Sequence, residues 1–246
     1  MEELTKRQID ILKVIIREYT ETGDAVGSEI LERKYKLGVS PATIRNEMVD
    51  LAKKGYLKKA HFSSGRIPSP KGFRFYIQNL MKEKELSTVD EVAYKNSIWD
   101  DREQLHRLLS HASKVLAART GLLAVTANNL GEVYYAGVAN ILRSDEFLNI
   151  DVSRGLLELL DEVSYWDALV KQLYKSDVGV TCMLGEEDFR NPVFESCASV
   201  FGEFRGERVS GLIGVVGPQR MSYDVIFPQV RYFSDLIEEI LKNQGM

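Results

Sequence analysis

Two serine–proline pairs, Ser40-Pro41 and Ser69-Pro70, set most of what the first eighty residues can fold into. A serine at the N-cap accepts from a free backbone N–H, and proline suits the first helical position, where its missing N–H costs nothing. Each pair therefore predicts a helix start. After Ser40-Pro41 the apolar residues Ile44, Met48 and Leu51 form one stripe, and Gly55 ends the helix. Between that helix and Ser69 run Tyr56–His61 and Phe62–Pro68, two short extended segments about Ser63-Ser64-Gly65, which read as a β-hairpin with Arg66 at its tip. Upstream, Thr5 and Gln8 have capping-box spacing, with Leu4 and Ile9 placed as the hydrophobic staple. Ile9, Leu12, Ile16 and Tyr19 continue that helix to about Tyr19, and Thr22-Gly23-Asp24 breaks it. A short second helix runs from Gly27 or Ser28 to about Tyr35 and is closed by Gly38. Three helices followed by a hairpin is the order of a winged helix-turn-helix, whose third helix enters the major groove while the hairpin lies on the adjacent backbone.

The charge pattern agrees with that order. The whole chain carries 32 Lys+Arg against 36 Asp+Glu, a net −4, yet residues 33–74 hold 11 basic residues and only Glu47 and Asp50 as acids. A local field of that sign attracts polyanions whatever the remainder carries. The exposed side of the third helix would present Ser40, Ala42, Thr43, Arg45, Asn46, Val49 and Lys53. Arg45 can fork onto guanine O6 and N7, and Asn46 can pair with adenine N6 and N7. Thr43 suits a phosphate or a thymine methyl, and the helix N-terminus favours a phosphate. Lys58, Lys59 and Arg66 on the hairpin would neutralise further phosphates. The bland readings are a salt bridge for Arg45 and a solvent-facing amide for Asn46; together, in one basic stretch, the DNA reading outweighs them.

Gly27-Ser28 with Ser40-Pro41-Ala42-Thr43-Ile44-Arg45-Asn46-Glu47-Met48, and the run from Ser63 to Tyr76, resemble the helix-turn-helix and wing of the HrcA family. The resemblance continues at Gly137–Leu142 with Glu146-Phe147, and at Gly214–Tyr223, which holds Gly217-Pro218-Gln219-Arg220-Met221-Ser222-Tyr223. It implies a heat-inducible transcription repressor acting on double-stranded DNA at an inverted-repeat operator upstream of chaperone genes. It further implies a homodimer, a GAF-like second domain, and a chaperonin that helps fold or maintain the repressor. Members of that family carry an inserted dimerising domain within the GAF-like region. Here Leu122–Thr126 passes through Asn128-Asn129-Leu130-Gly131 straight into Val133-Tyr134-Tyr135, so the insertion looks replaced by a tight turn.

The residues of the second half support an α+β class by themselves. Strand-like runs lie at Leu122–Thr126, Val133–Gly137, Val178–Leu184, Cys197–Phe204 and Val209–Val216, and two turns suggest antiparallel hairpins. Helical patterns lie at Ser153–Glu162, Tyr165–Lys175 and from about Pro228 to Lys242. The expected architecture is thus a winged helix-turn-helix at 1–80, a linker with a long amphipathic helix at 81–120, and a GAF-like α+β domain at 121–246. That helix, read from Thr88 to Ala118, carries a seam of Ile98, Leu105, Leu108, Ala112 and Val115 interrupted at Asp101. It is either the spine of the second domain or a dimer seam.

Other functions find less support. Catalysis needs a nucleophile with a base or a metal cluster, whereas Cys182 and Cys197 sit in apolar runs and only three histidines exist. His106 and His111 are five apart and share no helix face, so no metal site and no cofactor is expected. No apolar run approaches a membrane span, and the start lacks a signal-peptide pattern, so a cytoplasmic chain is expected. The alternative within regulation is a winged-helix repressor whose GAF-like domain senses a small effector.

Overall fold

A computed structural model describes residues 4–60, 65–173 and 179–246. The chain divides into two compact units: Met1–Lys82 with Gln219–Ser222, and Glu83–Pro218 with Tyr223–Met246.

In the first unit α1 spans Lys6–Thr22, α2 Ser28–Tyr35 and α3 Pro41–Lys53, followed by β1 Leu57–Lys59, β2 Arg66–Pro68 and α4 Pro70–Asn79. The capping box is present: Thr5 Oγ1 accepts from the Gln8 amide at 3.2 Å, and Gln8 Oε1 accepts from the Thr5 amide at 3.3 Å. Ser40 Oγ caps α3 by accepting from the Thr43 amide at 3.2 Å, and Ser69 Oγ caps α4 from Gly72 at 3.0 Å. The second helix ends at Tyr35, as expected, but Lys36 rather than Gly38 closes it. Lys36 takes the left-handed conformation (φ 47°) and its amide closes on Glu32, one turn back. Ile11, Leu12, Ile15, Ile16, Leu31, Ile44, Leu51 and Phe73 fill the core between these helices.

β1 and β2 pair antiparallel, Leu57 opposite Pro68 and Lys59 opposite Arg66; the expected turn at 61–64 lies outside the described residues. Val26 adds a third rung, exchanging both backbone hydrogen bonds with Arg66 at 2.9 and 3.0 Å. The base of the hairpin is locked to α4: Ser69 Oγ donates to the Gly55 carbonyl at 2.6 Å and Lys71 Nζ to that of Lys54 at 2.7 Å. Gly72 must be glycine here, because a Cβ would stand 2.2 Å from the Tyr56 carbonyl oxygen.

The second unit is built on a five-stranded antiparallel sheet. Its strands are β3 Leu123–Asn128, β4 Val133–Ala136, β5 Val180–Leu184, β6 Cys197–Arg205 and β7 Ser210–Pro218, in the order β4-β3-β7-β6-β5. Around it lie α5 Thr88–Trp99, α6 Leu105–Thr120, α7 Ile150–Asp161, α8 Val163–Leu173, a short α9 Gly185–Phe189 and α10 Tyr223–Gln244. Three 3-10 turns cover Val138–Arg143, Asp145–Leu148 and Pro192–Phe194. Alternate residues face opposite layers. Leu123, Val125, Phe201, Leu212 and Val216 pack against Leu156 and Leu160 of α7 and Trp166 and Leu169 of α8. On the other face Thr126 hydrogen-bonds Ser113 of α6 at 2.8 Å, and Gly202 sits beneath Ser234 of α10. The α+β class holds, with both predicted hairpins present as β3–β4 and β6–β7.

The single helix expected over Thr88–Ala118 is two helices, broken at residues 100–104. Asp100 and Asp101 are poor helix formers and place negative charge at the unfavourable end of the α5 dipole. Asp101 turns instead to His111, whose Nδ1 lies 2.7 Å from its Oδ2. The seam is internal. Ile98, Leu108 and Ala112 are fully buried within this unit and Leu105 and Val115 half-buried, which decides for a spine rather than a dimer seam. α10 likewise starts five residues before Pro228 and carries that proline inside it. α9 and the 3-10 turns, each six residues or fewer, gave no periodicity to read.

Candidate nucleic-acid interface

α3 is held by its buried stripe, Ile44 and Leu51 at 0% and Met48 at 4% exposure, so its opposite side is forced outward. Ser40, Ala42, Arg45, Asn46 and Lys53 are exposed, and Thr43 and Val49 half-buried. The Ser40 and Thr43 hydroxyls lie 3.0 Å apart and share the cap.

The two carboxylates that could have neutralised this face are already engaged. Glu47 accepts from Gln8 Nε2 at 3.1 Å and from Arg7 at 3.5 Å, both on α1. Asp50 pairs with Lys53 at 3.4 Å. Arg45 and Asn46 have no hydrogen bond or ion pair to another described residue, so the bland salt-bridge reading of Arg45 finds no carboxylate. Lys53 is less free than its position suggests, although an exposed pair of this kind is worth under about 1 kcal/mol.

The basic stretch sorts into two sets. Lys34 bridges Glu18 and Glu21 of α1 at 2.6 and 3.2 Å, Lys54 donates to Gln8 at 3.2 Å, and Lys71 is fixed on the Lys54 carbonyl and over the Tyr56 ring. These cations hold helices together. Arg45 and Lys59 remain exposed beside the hairpin, with Lys58 half-buried on the same strand.

Arg66 is not at the hairpin tip. It opens β2, where Val26 clamps its backbone, and its half-buried side chain donates to the Gly65 carbonyl at 3.2 Å. Glycine at 65 lets the backbone beside it approach closely, since a Cβ there would stand 2.9 Å from the Ala25 carbonyl carbon and oxygen. The Arg66 side chain and that of Arg45 line one groove of about 460 Å³, floored by Met48 and Val49 and edged by Gly27 and Ser28 at the start of α2. The structure thus brings Arg45 and Arg66 together. Sequence reasoning missed this pairing and the Gln8–Glu47 link, since both depend on contacts between elements far apart in the chain.

The ion cluster behind this face is strongly biased toward its charged form. Hydrogen bonds from Lys34 and Tyr35 hold the Glu18 carboxyl below its usual range, and hydrogen bonds to Glu18 and Glu21 push the Lys34 ammonium upward. Its effect is to fix α2 against α1, and so the angle at which α3 is presented.

Residues 1–64 match a family model described as the LexA DNA binding domain, and residues 66–226 one described as the HrcA protein C-terminal domain. The heat-inducible transcription repressor HrcA of Clostridium tetani is 27% identical, the alignment covering 99% of this chain and 97% of the relative. That alignment runs to 347 positions, well beyond the 246 residues here, so the relative holds a long stretch without counterpart. The repressor of the same name from Clostridioides difficile is 40% identical over 123 residues, half of this chain and 36% of the relative. A crystal structure of a hypothetical protein at 2.2 Å resolution has the same fold, with a TM-score of 0.81 at 19% identity over 98% of this chain and all of that one. The HrcA model alone spans well over half of the sequence, and the chain belongs to the HrcA family.

Proposed function

We propose that the chain is a sequence-specific transcriptional repressor of heat-shock genes that binds double-stranded DNA at an inverted-repeat operator in the cytoplasm. The observation that carries this reading is the outer face of α3. Arg45 and Asn46 stand exposed at adjacent positions while both nearby carboxylates are occupied elsewhere. A guanidinium and an amide so placed match the donor and acceptor patterns of guanine and adenine in the major groove. The names of the relatives, heat-inducible transcription repressors, supply the class of gene.

The reading is non-catalytic. Burial pushes the Cys197 thiol up to about 12, which suppresses the thiolate that nucleophilic chemistry would need. A gel shift tests the proposal, with the inverted-repeat element against a scrambled repeat of the same composition. The repressor should prefer the intact repeat by about a thousandfold or more at physiological salt. Equal affinity for both duplexes would reduce the chain to a nonspecific DNA binder.

A further inference from the structure

The outer face of α3 has two flanks. Arg45 and Glu47 stand one residue to either side of Asn46, each about 100° round the helix from it in opposite senses. On the Arg45 flank lies the hairpin, whose Arg66 lines the same groove as Arg45. On the Glu47 flank lies α1, because Glu47 accepts there from Arg7 and Gln8. Between α1 and the segment that leads into α3 is a second hollow, of about 650 Å³. Lys6, Arg7, Asp10 and Lys13 of α1 rim it, and Leu37 and Val39, just before the Ser40 cap, wall its other side.

The cations on that rim do little for the fold. Lys6 and Lys13 are exposed and have no hydrogen bond or ion pair to another described residue. Asp10 lies on their stripe of α1, four residues after one and three before the other, yet pairs with neither. Arg7 reaches Glu47 only at 3.5 Å, with its side chain more than half exposed. Lys6 and Arg7 also open α1, where the helix dipole favours acids, and the first turn has no acid. Three cations against one carboxylate thus stay uncompensated within the fold, all lining one hollow.

Geometry supplies the anion. The major groove is about 12 Å wide, and a helix with its side chains is about 10–12 Å across, so a helix seated in it has a phosphate backbone along each flank. Lys58, Lys59 and Arg66 of the hairpin suit one of these backbones and leave the other unmet. We infer that Lys6, Arg7 and Lys13 of α1 bind the phosphates on the Glu47 flank of α3, so that the recognition helix is held from both sides. The half-buried Leu37 and Val39 give the sugars of that strand an apolar wall. The inference rests on the proposed function in taking α3 to be the helix in the groove.

The Lys6→Ala/Lys13→Ala variant of the full chain tests this on the intact and the scrambled repeat across a salt series. Both side chains are exposed and bonded to no described residue, so melting should be unchanged; should the variant fail to fold, Lys6→Gln/Lys13→Gln, which keeps the stems, replaces it. Affinity should fall about tenfold or more on both duplexes alike. The slope of log affinity against log salt should shrink by about two units for each chain bound. Phosphate-ethylation interference should vanish on one flank of the site, and for Lys58→Ala/Lys59→Ala on the other. An unchanged slope, or loss of the same phosphates in both variants, would overturn the assignment to α1. A wild type that does not prefer the intact repeat would remove the repressor reading, and the slope would still decide whether α1 meets phosphate.

Discussion

The side-chain amide of Gln8 donates to the Glu47 carboxylate at 3.1 Å, tying the first turn of α1 to the middle of α3. The same side chain accepts from the Thr5 amide and from Lys54 Nζ, so one residue that is 5% exposed joins the helix cap, α3 and the segment leaving it. Gln8→Ala strips Glu47 and Lys54 of a partner together. A loss of about 1–3 kcal/mol is expected in chemical denaturation, because the groups left behind keep their desolvation cost. Operator affinity should fall more than affinity for scrambled DNA, since the presentation of α3 is what loosens. A variant as stable as the wild type would show the link to be incidental.

Arg45→Ala and Asn46→Ala should each lose sequence preference by ~1–3 kcal/mol, the worth of one bidentate base contact, while weak nonspecific binding persists. Because neither residue is bonded to another described residue, their removal should leave the melting temperature within a degree or two. Equal losses on intact and scrambled repeats would assign these side chains to phosphates.

For the hairpin the expected signature is a salt slope. Lys58→Ala/Lys59→Ala, or Arg66→Ala, should weaken binding to all sequences alike, with the slope of log affinity against log salt shrinking by roughly one unit per lost phosphate contact. Arg66 tests its groove as well as its charge. The Val26 rung runs through backbone atoms, so truncating the side chain leaves the hairpin base in place. An unchanged slope would take the hairpin out of the interface.

Acid should dissolve the α1–α2 clamp first. Glu18 is held low by Lys34 and Tyr35, and Glu21 by Arg17 and Lys34. A carboxylate whose folded value is depressed stabilises the fold above its unfolded value, near 4.3 for Glu, and that stabilisation disappears as pH falls through the folded value. Melting temperature should therefore decline below about pH 4.5. Glu18→Gln should lower the plateau at neutral pH and flatten that decline. Parallel acid limbs for variant and wild type would remove Glu18 as their source.

How much of this was legible in the sequence depended on how local the cause was. Ser40, Ser69 and the Thr5–Gln8 box act within one helical turn, and each cap is where its residue type places it. Arg45 and Asn46 were readable as an outer face because Ile44, Met48 and Leu51 define the inner one. Arg66 was misplaced because its position is set by Val26, forty residues upstream, and by the close approach of Gly65 to the Ala25 backbone. The α5–α6 break was hidden for a similar reason. A heptad of apolar residues continues across it, and only the folded structure shows Asp101 answering to His111.

Pro228 offers a last test, in the second unit. Six residues into α10 it has no N–H to give the Asp224 carbonyl, the acceptor that a continuous helix would use. That carbonyl is taken instead by the Lys84 amide at 2.9 Å, and the Lys84 ammonium reaches the Asp224 carboxylate at 2.9 Å. One residue before Lys84, Glu83 meets with both oxygens the guanidinium of Arg231, seven residues beyond Asp224 along α10. The proline thus keeps an acceptor open for the segment that enters this unit. Pro228→Ala would return the missing N–H and relieve a helix-interior proline, which disfavours a helix by about 3 kcal/mol relative to alanine. α10 should become more stable, and hydrogen exchange across residues 224–232 should slow. The Lys84 amide should exchange at least several-fold faster, because its acceptor now has an intrahelical competitor. If Lys84 protection is unchanged, the carbonyl is serving both donors and the proline has no part in holding that segment.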